Sequence, residues 1–151
     1  MNWDEFQEKA PELAAFGRER LERSGLVLVG TLRKDGRPRI SAVEPLITDG
    51  RLYLGMMWRS RKALDLLRDP RCTLHSTVTD REASEGEFKL PGEAKDIQDA
   101  ELRRSYGEAL YQQIGMNPEG EPYHLFAVDI QTASSAIIRN EEWVRQFWRA
   151  G

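Results

Sequence analysis

The stretch "LVLVGTLRKDGRPRISAVEPLITDGRLYLGMM", residues 26–57, decides the fold. Three β-rich runs, 26–33, 38–47 and 51–57, are separated by two Asp-Gly pairs. Asp35-Gly36 predicts a type I′ hairpin turn, whose two central residues need positive φ. Asp49-Gly50 predicts a second hairpin. Three antiparallel strands in sequence order read as a meander.

Upstream, residues 3–23 have helical periodicity. Phe6, Ala10, Leu13, Phe16 and Leu21 fall near one face, with charged residues between them. Pro11 is expected to split this segment in two, and Ser24-Gly25 to end it. Downstream, residues 60–68 predict a short helix with Ser60 at the N-cap and Ala63, Leu64 and Leu67 as its inner stripe; Asp69-Pro70 stops it. "RCTLHSTV" (71–78) reads as a strand with Cys72, Leu74, Ser76 and Val78 on one face and Thr73, His75 and Thr77 on the other. Residues 85–97 form a further strand whose Pro-Gly predicts a kink at a bulge or edge. Residues 99–115 form a helix with Leu102, Tyr106, Ala109 and Leu110 inward, and 116–122 a loop. Residues 124–140 and 141–148 supply the last strands as a closing meander.

Many short antiparallel strands with a few helices at their ends predict a mainly β fold, a closed or nearly closed barrel that removes exposed sheet edges. At 151 residues the chain suits one domain, 1–151, with 1–24 as an N-terminal helical segment. Such a length buries roughly two-thirds of its unfolded surface. The net charge of -3 carries no general basic excess, which argues against nucleic acid or an anionic membrane as partner. A single cysteine, Cys72, allows no intrachain disulfide. With no long apolar run and an acidic amphipathic N-terminus, the expected location is cytoplasmic.

Catalytic signatures are sparse. His75 and His124 stand in no zinc-ligand spacing and read as hydrogen-bonded barrel residues, so no metal site is expected. There is no nucleophile elbow and no Walker loop, and the glycines do not support a Rossmann site. Cys72 reads as a small core residue. The unusual feature is "WRSRK", 58–62. Arg61 and Lys62 place two cations at a helix N-terminus, the end that favours anions, at a cost on the order of 0.3–1 kcal/mol each. An anion between them would repair the mismatch. Ser60, the free N–H groups of the first turn and the neighbouring Arg59 could join such a site. On this stretch alone a solvated basic helix end explains the charges as well. "SAVEPL" (41–46) and "LGMM" (54–57) could wall a flat ligand or form ordinary core.

The run "TLRKDGRPRISAVEPLITDGRLYLGMMWRSRKALDLLRDPRCTLHS", followed by "EGEFKLPGEAKDIQDAELR", "HLFAVDI" and the terminal "WRAG", resembles the pyridoxamine 5′-phosphate oxidase-like proteins. The resemblance runs from about residue 26 to the end. It implies a split β-barrel, antiparallel and Greek-key-like, with six to eight strands and peripheral helices. It further implies a homodimer with cofactor sites at the interface, and FMN as cofactor. Ser60, Arg61 and Lys62 would hold the FMN phosphate. The strand from Arg39 through Ser41 and Val43 to Glu44 would run along phosphate, ribityl chain and ring. Met56 and Met57 would lie beside the ring, and Trp148 and Arg149 would reach toward the partner's site. The "WRAG" ending and the missing substrate-phosphate signature argue against vitamin B6 oxidation. Within the family, "GRPR" followed by "SRKALDLLRDPRCTLHS" looks most like small proteins, several of which use the deazaflavin coenzyme F-420 and some of which bind haem. The expected activity is hydride transfer between the cofactor and a small-molecule substrate, with substrate contacts from the loop 79–86 and the segment 111–123. A non-catalytic flavin or haem carrier, and a structural dimer without ligand, are the alternatives.

Overall fold

The computed structural model describes residues 1–151. Two helices come first, α1 (Trp3–Lys9) and α2 (Pro11–Ser24), divided at Pro11 as expected. Asn2 and Glu5 cap α1 reciprocally, each side chain accepting the other's backbone N–H. Then follow β1 (Val27–Leu32), β2 (Pro38–Val43), β3 (Pro45–Thr48), β4 (Arg51–Met57), α3 (Arg61–Arg68), β5 (Arg71–Ser76) and β6 (Glu87–Asp96). α4 (Ala100–Ile114), β7 (Tyr123–Ile130), β8 (Thr132–Arg139) and β9 (Glu142–Arg149) complete the chain.

All pairings are antiparallel, and the strands form one nine-stranded sheet. Both Asp-Gly hairpins form, but with different turns. At Asp49-Gly50 both central residues have positive φ (51° and 69°), the type I′ signature. At Asp35-Gly36 only Gly36 does (85°), and its N–H donates to the Arg33 carbonyl. This is a three-residue loop with glycine in the left-handed position, so the predicted type I′ turn lies in the second hairpin and not the first.

Residues 26–57 do not form the expected three-stranded meander. The run 38–47 is two strands, because its partner changes at Glu44. β2 pairs with β1, whereas β3 pairs with β4, and along the path β2-β1-β5-β6-β7-β4-β3 these two strands lie at opposite ends. One residue therefore joins the two ends of the sheet, curling it into the split barrel. Pro45 suits the switch because it has no N–H to leave unpaired. The run 124–140 divides in the same way at Gln131. β7 pairs with the second half of β6 and β8 with its first half. The Pro91-Gly92 kink lies between those halves, so β6 is an internal strand and not an edge. The two divisions raise the strand count to nine.

The interior is one large apolar cluster built from alternating inward residues. Val27 and Val29 of β1, Leu74 of β5, Phe88 and Leu90 of β6, and Phe126 and Val128 of β7 meet Trp3, Phe6, Leu13 and Leu21 of the first two helices. A smaller cluster lies under α4, where Tyr53, Tyr106, Leu110 and Leu125 pack together. β5 ends at Ser76, so Val78 is exposed and not on the inner face. No helix is long and apolar enough to cross a membrane.

Candidate anion site at the start of the third helix

The site begins with an irregularity in α3. The helix buries Ala63, Asp65 and Leu66, and leaves Leu64 and Leu67 exposed at 39% and 46%. The expected stripe of Ala63, Leu64 and Leu67 is therefore rotated. The cause is the buried carboxylate of Asp65. One of its oxygens accepts from Thr31 Oγ1 of β1 and from Arg39 Nε of β2, both at 2.8 Å; the other accepts from the Arg68 guanidinium at 3.1 Å. Burial alone would push this carboxyl up, the largest single effect, but the hydrogen bonds from Arg39, Thr31 and Arg68 together hold it below the usual carboxylate range.

Asp65 thus gathers cations. A depression of about 530 Å³ lies beside it, where Arg33, Lys34, Arg39, Arg61 and Arg68 face only two carboxylates, Asp35 and Asp65. Five positive charges against two leave an excess that suits an anion. Arg39 donates to Asp65 through Nε alone, so its terminal nitrogens stay available. Arg39 and Arg68 each pair with Asp65, while Arg61 pairs with no carboxylate.

The helix start itself is undersatisfied. Ser60 occupies the N-cap, as expected, but its side chain makes no capping bond, and no acidic residue lies in the first turn. Its Oγ is buried without a partner. A buried unsatisfied hydroxyl costs roughly 1–3 kcal/mol. The first-turn N–H groups have no intrahelical acceptor either. These donors lie next to Arg61 and Lys62, and donors and cations at a helix start are a combination that suits an anion.

The other expected site residues separate by face. On β2, Arg39, Ser41 and Val43 point to the inner side, whereas Ile40, Ala42 and Glu44 are exposed. β2 pairs only with β1, so its second edge is free to meet a ligand. Met56 is buried and Met57 is 79% exposed, which puts the two methionines on opposite faces of β4. Trp148 turns inward onto Phe6, with ring centroids 5.0 Å apart, while Arg149 lies over Phe147. The structure therefore brings Arg39 and Arg61 together around Asp65, with Ser60 and Lys62 adjoining at the helix start, and keeps Trp148 and Arg149 on β9.

Neither histidine is free at Nε2. His75 donates from Nδ1 to the Ser76 carbonyl (2.6 Å), and its Nε2 faces Glu87 at 3.3 Å. His124 Nε2 accepts the Arg59 N–H at 3.0 Å, so its proton is on Nδ1. Burial pushes the His124 imidazole below its ordinary value. Trp58 stacks on that ring at 4.5 Å. Trp58, His124, Tyr123, Arg103 and the 119–122 loop line a second depression of about 700 Å³. The loop 79–86 lines neither depression; its Glu85 is tied to α2 by Arg20 and Arg23. No group of His, Cys, Asp and Glu is arranged to hold a metal ion.

Sequence reasoning missed Asp65, Arg68 and Trp58. The available signal for Asp65 was a carboxylate between two leucines, three residues before an arginine.

The family model described as pyridoxamine 5′-phosphate oxidase matches residues 13–136. No curated protein matches the chain by sequence. Among solved structures, a conserved hypothetical protein of Mycobacterium tuberculosis superposes with a TM-score of 0.68 at 20% identity, covering 83% of this chain and 82% of that one. A Clostridium acetobutylicum protein related to general stress protein 26 of Bacillus subtilis gives 0.64 at 20% identity, covering 88% and 91%. The haem storage protein HutZ of Vibrio cholerae gives 0.60 at 16% identity, covering 81% and 89%. The family match spans most of the chain, and the curled antiparallel sheet agrees with it: this protein belongs to the pyridoxamine 5′-phosphate oxidase family.

Proposed function

We propose that the chain is a flavin-binding oxidoreductase that holds FMN by its phosphate at the start of α3. The observation that carries this reading is the unpartnered, buried Ser60 Oγ at an uncapped helix N-terminus followed by two cations. A terminal phosphate would accept from that hydroxyl, from the first-turn N–H groups and from Arg61 and Lys62, with Arg39 beside them. Ser41, Val43 and Glu44 would border the ribityl chain and ring along the free edge of β2, with Met56 and Met57 at the end of β4. When bound, the flavin supplies hydride transfer, and the protein supplies orientation and an apolar wall. No side chain is assigned as acid or base.

The deazaflavin coenzyme F-420 also carries phosphate on its ribityl chain, so the same donors would serve it. A haem carrier is the second reading, favoured by the likeness to a haem storage protein. It requires an axial ligand, and an imidazole could serve only by giving up its present Nε2 partner. The flavin reading is therefore preferred.

A homodimer is part of the proposal. Ile40 and Phe147, 74% and 67% exposed, give β2 and β9 apolar outer positions that a second copy would cover. The substrate would be a small molecule, and the Trp58–His124 depression, about 700 Å³, is an approach beside the end of β4.

Titrating the protein with FMN, coenzyme F-420 and haemin, followed by absorbance and fluorescence, tests the reading. The expected result is saturable flavin binding at micromolar concentration. Binding of haemin alone would replace it with the carrier, and binding of none at tens of micromolar would refute it.

A further inference from the structure

Arg59 has φ +56°, a left-handed backbone that a long side chain rarely adopts. It immediately precedes Ser60, so its backbone sets the direction in which the chain enters α3. That direction determines where Ser60 Oγ and the first-turn N–H groups point. A conformation of this kind persists only when its surroundings impose it.

Arg59 is the third residue of a turn closed by the Ser60 N–H donating to the Met57 carbonyl at 3.1 Å, and two further contacts, both from one ring, hold that turn in place. The Arg59 N–H donates to His124 Nε2 at 3.0 Å, and the Trp58 indole stacks on the same imidazole at 4.5 Å with 12° between planes. His124 is 6% exposed and lies on β7 in register with Met56 of β4. It is therefore fixed by the sheet and not by the loop it holds. One imidazole engages two consecutive loop residues, one by its edge and one by its face.

We propose that His124 is a positioning residue of the anion site: it holds Arg59 in the left-handed backbone and so aims Ser60, Arg61 and Lys62 at phosphate. The proposal rests on the flavin-phosphate reading above. Toward the phosphate, His124 acts only through Arg59 and Trp58, and it does not touch the anion itself. Any residue at 124 that offers an acceptor where Nε2 stands should serve, and a glycine at 59 should make the acceptor dispensable, because glycine reaches positive φ unaided.

The test compares FMN and riboflavin binding, by flavin fluorescence, in five forms of the full chain. His124→Phe keeps a ring under Trp58 and removes the acceptor. His124→Gln restores an acceptor. Arg59→Gly and Arg59→Ala, each combined with His124→Phe, both remove the guanidinium, but only the glycine relieves the backbone. The wild type is the reference. Hydrogen exchange at the Arg59–Lys62 amides gives a readout that needs no ligand. The expected results are at least fivefold weaker FMN binding in H124F with riboflavin unchanged, and at least tenfold faster exchange at Arg59. H124Q should stay within twofold of wild type, and R59G, but not R59A, should restore H124F. FMN affinity preserved in H124F, or equal behaviour of R59G and R59A, overturns the proposal while leaving the phosphate reading intact. Absence of both FMN and inorganic phosphate binding in the wild type overturns the phosphate reading and the proposal with it. If H124F does not fold, H124L removes acceptor and ring together, and the same loss of FMN binding with riboflavin unchanged is expected.

Discussion

Replacing Asp65 with asparagine should weaken the fold and flatten its acid response. The wild-type carboxylate is 3% exposed and accepts three hydrogen bonds, from Thr31, Arg39 and Arg68. The amide keeps the shape but loses the charge, and its NH2 group meets donors where one oxygen was. Breaking a fully buried ion pair costs about 3–5 kcal/mol. Here the two arginine side chains are 25% and 39% exposed and can turn toward water. We therefore expect about 2–3 kcal/mol for D65N, discounting the buried-pair figure for that exposure. For a chain of this size that is a fall in Tm of roughly 4–12 °C. The pH dependence follows from the lowered native carboxyl. Its stabilisation is fully present above the unfolded carboxylate range, near pH 4, and is lost as pH falls through the native value. Urea unfolding at pH 7 and at pH 3.5 is the assay. The wild type should lose more stability than D65N between the two. A D65N variant within about 0.5 kcal/mol of wild type at pH 7, the size of an ordinary surface change, would refute the role given to Asp65.

Two further predictions concern the interior. Gly17→Ala should destabilise by about 1–2 kcal/mol: a Cβ there would lie 2.5 Å from Cζ of the buried Phe88 ring, and overpacking outweighs the better helix propensity of alanine; a higher Tm would contradict this. Burial pushes the Cys72 thiol up to about 12, so iodoacetamide at pH 8 should leave the native protein unmodified and label it fully in denaturant. Rapid labelling of the native form would show that the core is open at β5.

Local chemistry was legible and partner choice was not. The positions of the Asp-Gly turns, the break at Pro11 and the Ser60 N-cap were readable because each depends on a few adjacent residues. The partner switches at Glu44 and Gln131 were not, because an extended run looks the same whichever strand it pairs with. The α3 stripe failed for a similar reason. Asp65 turns inward because of Thr31 and Arg39, which lie 34 and 26 residues away, so helical periodicity alone placed Leu64 and Leu67 inside. At the candidate site, "SRK" was visible as charges at the wrong helix end. The grip of His124 on the preceding loop was invisible, since 65 residues separate it from Arg59.

In the proposed function phosphate, and not only the ring, secures the flavin. The most direct measurement is the ratio of riboflavin to FMN dissociation constants in the wild type and in the Arg61→Ala, Lys62→Ala double variant. Charge-assisted hydrogen bonds contribute about 1.5–3 kcal/mol each, so a ratio of at least tenfold is predicted for the wild type. The double variant should lose most of that preference while its riboflavin affinity stays the same. Equal affinity of the wild type for FMN and riboflavin would contradict the account.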